Sequence, residues 1–98
     1  MKIYIAGRVT GLPYDNVKAK FKAAEEAMLA RDWTPVNPLN HVNSRASPEE
    51  AMRILLPLLL DCKAILLLND SKYSEGAQIE AMLARYCHKI ILNEEDFD

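Results

Sequence analysis

The 98-residue sequence has only two cysteines, three glycines and two histidines, and no excess of positive charge. Each shortage excludes something. Cys62 and Cys87 have no CxxC spacing and no Cys/His cluster around them. Free thiols are therefore expected, and neither a structural zinc site nor any other metal or cofactor. A formal charge of −2 and a pI near 5.7 leave no basic stripe for a nucleic-acid polymer. A small anionic ligand stays open, because backbone amides hold phosphate without net positive charge. The most apolar stretch, 54–68, is broken by Pro57, Asp61 and Lys63, well short of the roughly twenty apolar residues a membrane span needs. MKIYIAG is shorter than the roughly seven to fifteen apolar residues of a secretory h-region, so a cytoplasmic protein without membrane contact is expected. No repeat, linker or low-complexity segment divides the chain. One domain over 1–98 follows, with half its residues hydrophobic.

What is present alternates. KIYIA (Lys2 to Ala6) predicts a short buried strand and GRVTGLPYDN a loop. From Asp15 or Asn16 to about Arg31–Asp32, Val17, Phe21, Ala24 and Met28 recur at helical spacing. Thr34 to Pro38 predicts an edge strand, with proline at both ends. Ser47-Pro48-Glu49-Glu50 is a helix start with a capping box, and that helix runs to about Asp61, where Pro57 should kink or split it. Ala64 to Asn69 is apolar enough to be a central strand. A third helix spans Glu75 to Tyr86, with Ile79, Met82, Leu83 and Tyr86 on the expected packing face. Lys89 to Asn93 is the last strand, before the acidic tail EEDFD.

This βαβαβαβ order predicts a three-layer α/β/α domain of Rossmann or flavodoxin type, with a parallel four-stranded sheet in the order 2-1-3-4. Ligands of such sheets bind at the carboxyl ends of the strands where the chain reverses direction. The loops after strands 1 and 3 meet there. In the first, Gly7 and Gly11 flank Arg8 and Thr10, which can both donate to an anion; two glycines in a loop are equally explained by a tight turn. It is neither GxGxxG nor a P-loop. In the second, Ser74, Gly76 and Glu80 open a helix whose free amides face the cleft. Glu75 and Glu80 are explained by the helix dipole, or Glu80 points into the cleft and attacks an anomeric carbon. Tyr4 either lines the pocket or packs in the core. His41, His88, Asp70, Asn37 and Asn40 read as surface or turn residues.

Taken together, YIAGRVTG, then Val36-Asn37-Pro38, Cys62 to Leu68, and Ser74, Gly76, Glu80 and Ala84 resemble the nucleoside 2-deoxyribosyltransferase superfamily, most closely its small branch common in phages and prophages. The resemblance covers nearly the whole chain. It implies that Glu80 is the nucleophile that attacks C1′ of a (deoxy)nucleotide and expels the base. It implies that Ser74, in place of an aspartate, accommodates a phosphate, and that Tyr4, Gly7, Arg8, Thr10, Gly11 and Gly76 contribute to substrate binding. Homo-oligomers are expected by the same resemblance, and the apolar run Ile54 to Leu60 fits an interface. One departure stands out. Where active members carry an aspartate on the second helix, this sequence has Leu55. Two smaller readings therefore remain beside cleavage or exchange of the N-glycosidic bond: a nucleotide-binding protein without catalysis, and an assembly protein with a vestigial pocket. Asp32 also stands where relatives often have a C-capping glycine.

Overall fold

Four short strands pair in parallel in the order β2-β1-β3-β4. They are β1 (Lys2–Ala6), β2 (Thr34–Val36), β3 (Ala64–Leu67) and β4 (Ile90–Asn93), described in a computed structural model covering residues 1–97. Asp98, the end of the expected acidic tail, lies outside the described residues. β1 and β3 form the centre, with Tyr4 opposite both Val36 and Ile65 and Ala6 opposite Leu67. Strand alternation then divides the core. Ile3, Ile5, Ala64 and Leu66 meet helix α1 (Tyr14–Leu29) through Val17, Phe21, Ala24 and Met28. Tyr4, Ala6, Ile65 and Leu67 meet α2 (Pro48–Leu60) and α3 (Glu75–Tyr86) on the other side. The expected α/β/α layering and strand order are those of the structure. Among the described residues no helix is long and apolar enough to cross a membrane.

Local chemistry explains most boundaries. Ser47 caps α2, its Oγ accepting from the Glu50 N–H at 3.2 Å while the Glu50 carboxylate accepts from the Ser47 N–H. β2 stops at Val36, two residues short of expectation, because the Asn37 side chain accepts from the Leu39 N–H and starts a 3-10 turn over Pro38–Asn40. β3 likewise stops at Leu67 and β4 begins at Ile90. α1 ends at Leu29, and Asp32 occupies the left-handed region at φ 61°, the conformation a glycine would take most easily.

Two expectations are corrected. Pro57 does not split α2, which continues through it to Leu60. The ring lies on an exposed face in the last turns, and the Arg53 carbonyl deprived of its donor belongs to an exposed residue that water can reach. The expected packing face of α3 is also wrong except at Leu83, which is half-buried against the core. Its buried positions are Ala77, Glu80, Ala81 and Ala84, whereas Ile79, Met82 and Tyr86 are 48%, 63% and 82% exposed. Both sets recur at helical spacing. Ile65 and Leu67 from the sheet, with Leu55 and Leu59 from α2, share the core beneath α3, where apart from Glu80 the fully buried side chains of the helix are methyl groups.

This packing makes a testable distinction. Ala81→Leu should destabilise the fold by about 1–3 kcal/mol through overpacking. Ile79→Ala, measured in dilute protein, should cost less than about 1 kcal/mol, far from the 2–5 kcal/mol of a buried isoleucine. Chemical denaturation of both variants reads the difference, and a large loss for Ile79→Ala would restore the outer residues as core.

Candidate functional site

Because β1 and β3 are neighbours whose following helices lie on opposite faces, their carboxyl ends form the crevice where a ligand can enter. Tyr4 projects from β1 toward α3, and its hydroxyl donates to the carboxylate of Glu80 across 76 residues of sequence. Tyr4 is fully buried and Glu80 is 6% exposed. Among the described residues Tyr4 is the only hydrogen-bond partner of that carboxyl group. Burial pushes the Glu80 carboxyl up to about 7, opposed in part by the Tyr4 hydrogen bond, and no charged neighbour contributes. Burial, then the adjacent Glu80 charge, raises the Tyr4 phenol well above its ordinary range.

Ser74 is the N-cap of α3. Its Oγ accepts from the Ala77 N–H at 3.1 Å, and its hydroxyl proton stays available to an outside acceptor. Its carbonyl takes the Gln78 N–H, so the amides of Glu75 and Gly76 have no intrahelical partner. Gly76 is not sterically required: an added Cβ would sit 3.4 Å from Met52 Cε, an ordinary contact.

The first loop is organised by residues that read as unremarkable in the sequence. The Arg8 N–H donates to Asp70 Oδ1 at 3.0 Å, and Lys20 from α1 reaches both the Arg8 carbonyl, at 2.7 Å, and the Asp70 carboxylate. Burial alone would raise the Asp70 carboxyl, but Lys20 and the Arg8 amide outweigh it and hold the group below its usual value. The backbone amide of Arg8 is thus already occupied. Its guanidinium folds back, Nε donating to the Thr10 carbonyl at 3.1 Å, while the rest of Thr10 stands exposed. Both glycines have structural reasons. A Cβ at Gly7 would lie 2.7 Å from Leu68 Cδ1, and Gly11 has φ +85°.

Asp70 and Lys20 were missed as site residues because each looks ordinary alone: a polar residue after a strand, and one lysine among several on α1. The only available signal was that Lys20 adjoins the buried Phe21. Leu55, where the resemblance implies an aspartate, is buried in the same core cluster as Tyr4, Ala77 and Ala81. Asp61 pairs with Lys2 at the opposite end of the sheet, at 2.5 Å. His41 and His88 are exposed, and the described residues contain no metal-ligating cluster of three or more His, Cys, Asp or Glu. An open depression of about 470 Å³ lies at the start of α3, lined by Lys72, Tyr73, Ser74, Glu75, Gln78 and Ile79. It shares Ser74 with the candidate site but not Glu80, which lies outside the depression.

A family described as a domain of unknown function (DUF4406) has a sequence model that matches residues 1–93. That match assigns no phage or prophage branch. No curated protein matches the chain. Among solved structures, a 2-desoxiribosyltransferase from Leishmania mexicana has the same fold, with a TM-score of 0.73 over 94% of this chain at 23% identity. The chain covers 62% of that protein's length.

A buried carboxyl with a raised pKa has a stability signature. In the unfolded chain Glu80 ionises near 4.5, and in the folded one near 7. The folded state therefore holds the proton more tightly, and its advantage is full below pH 4.5 and fades as pH rises through 7. Wild type should lose on the order of 3 kcal/mol between pH 4 and pH 8 from this group. Glu80→Gln should lack that loss, as denaturation midpoints across pH will read.

Proposed function

The chain belongs to the DUF4406 family, and we propose that it binds a nucleotide and cleaves or exchanges its N-glycosidic bond, with Glu80 as nucleophile. The observation that carries this reading is the buried Glu80 carboxyl held by Tyr4 at the switch point of the sheet. An isolated acid in that position is costly to fold, and a reactive role accounts for it better than packing does. The likeness of fold to a 2-desoxiribosyltransferase supports the same reading.

In this mechanism Tyr4 orients the ionised carboxylate toward C1′, and a covalent glycosyl ester forms as the base departs. The hydroxyl of Ser74 and the free amides at the start of α3 receive the 5′-phosphate, where the helix dipole favours an anion. An aspartate at position 74 would repel that group, whereas a serine does not. Activity requires the ionised form of Glu80, so it should rise with pH through about 7. A second reading, nucleotide binding without turnover, is favoured by Leu55. A missing general acid forfeits roughly 10²–10⁴-fold in rate.

The protein should be incubated with a panel of nucleoside and deoxynucleoside 5′-monophosphates, with free base followed by chromatography. Base release that disappears in Glu80→Ala supports the enzyme. Binding by calorimetry without release leaves the second reading, and neither binding nor release sinks both.

The same reading includes self-association through α3. Ile79, Met82 and Tyr86 form an outward apolar stripe, with Glu75 at one end of the helix and Arg85 at the other. Two copies of α3 laid antiparallel about a two-fold axis bring each Glu75 beside the partner copy's arginine and bury the stripe. Light scattering should give a dimer for wild type and a monomer for Met82→Glu. A wild type that is monomeric at tens of micromolar would rule this interface out.

A further inference from the structure

Among the described residues, the carboxyl group of Glu80 has no charged neighbour and so no second acid beside it. Leu55 belongs to the same buried cluster as Tyr4, Ala77 and Ala81. Asp70 is engaged by Lys20 and the Arg8 amide, Glu75 is exposed on the outer side of α3, and Glu94 accepts the Asn69 N–H at 2.8 Å. The remaining hydroxyl in contact with Glu80 is that of Tyr4, which already donates to it and is fully buried. Breaking the bond from C1′ to an ordinary base leaves negative charge on a ring nitrogen, and a general acid is what neutralises it. One carboxyl cannot be both ionised nucleophile and protonated acid in the same step. A leaving group that departs already neutral removes the need.

Resting on the reading of Glu80 as nucleophile, we propose that the preferred substrates are nucleotides whose base is cationic when joined to the sugar, such as N-ribosylated pyridinium or N7-alkylated purinium rings. The Glu80 carboxylate attacks C1′, and the C1′–N bond breaks with its electron pair moving to the ring nitrogen. The positive ring thereby becomes a neutral base and leaves without a proton. Water then attacks C1′ of the ester, the C1′–O bond to Glu80 breaks, and the proton of that water passes to solvent. Sugar phosphate, neutral base and one proton are the products, and the carboxylate is restored.

The surroundings of Glu80 favour such a ligand for a second reason. Burial disfavours the charged carboxylate, and no cation of the protein lies close enough to offset this. A positive ring in the crevice supplies the missing opposite charge and draws Glu80 into its ionised, reactive form. A neutral base supplies none. The cationic substrate thus assists both the nucleophile and its own departure.

Matched pairs test the proposal. Guanosine 5′-monophosphate is compared with its N7-methyl derivative, and adenosine and cytidine 5′-monophosphates with the 5′-monophosphate of nicotinamide riboside. Glu80→Gln measures the background for each. The cationic member should be cleaved about 10²–10⁴-fold faster than the neutral one, the range of the absent acid, with the advantage lost in Glu80→Gln. Comparable Glu80-dependent rates for neutral and cationic bases would overturn the substrate class while leaving the glycosyl-transfer reading intact. So would release from neutral bases that grows with protein concentration, since a second copy would then supply the acid. No Glu80-dependent release from any of them, with binding retained, would overturn both.

Discussion

Burying one carboxyl group beneath the end of a parallel sheet is the constraint on which the rest of this small domain turns. The Glu80 side chain is buried on the face of α3 that otherwise carries Ala77, Ala81 and Ala84, with one phenolic hydroxyl to receive it. That arrangement opposes ionisation and so opposes folding at neutral pH. The domain absorbs the cost with a sheet whose two central strands are almost wholly buried and with apolar layers on both faces. α3 approaches through Ala77, Ala81 and Ala84, close enough for Glu80 to reach Tyr4 on β1. Larger residues on that face would lift the helix and separate the pair. The large side chains of α3 are consequently turned outward, where they form a surface rather than a core.

The two site loops are tied to each other by charge as well as by packing. Lys20 and Asp70 join α1, the loop after β1 and the loop after β3 around the Arg8 backbone. The pair is only partly exposed, so solvent screens it less than the surface pairs Arg53–Glu49 and Lys22–Glu26. Gly7 completes the junction, since any side chain there meets Leu68. The C-terminal segment reaches the same region. Glu94 accepts the Asn69 N–H there, and the segment then runs toward the other end of the sheet, where Phe97 packs edge-on against Trp33 with Arg31 over its ring. The crevice is thus bordered by elements from both ends of the chain.

Much of this was legible in the sequence. The alternation of short apolar runs with amphipathic stretches was enough for the layering and strand order. The Ser47 capping box was visible as local chemistry. The resemblance to relatives, rather than local pattern, drew attention to Asp32 at a C-cap position and to Glu80 after Ser74 and Gly76. Other features were not legible. Ile79, Met82 and Tyr86 share helical spacing with Ala77, Ala81 and Ala84, and hydrophobicity alone selects the larger set. Pro57 signals a break, yet on an exposed face within a turn of the C-terminal end of α2 it is tolerated. Asp70 and Lys20 lie 50 residues apart, and no local pattern joins them.

Sequence alone determined what is short-ranged: which segments are strands and helices, and where helices begin. These follow from periodicity, caps and connection rules that act within one or two turns of chain. Tertiary structure alone decided which face of α3 is buried, that Tyr4 rather than a second carboxylate meets Glu80, and that the Arg8 amide is already taken. Each depends on how much space neighbouring elements leave and on which side chains arrive there from distant positions. Volume and proximity in three dimensions are not written in any local stretch of the chain.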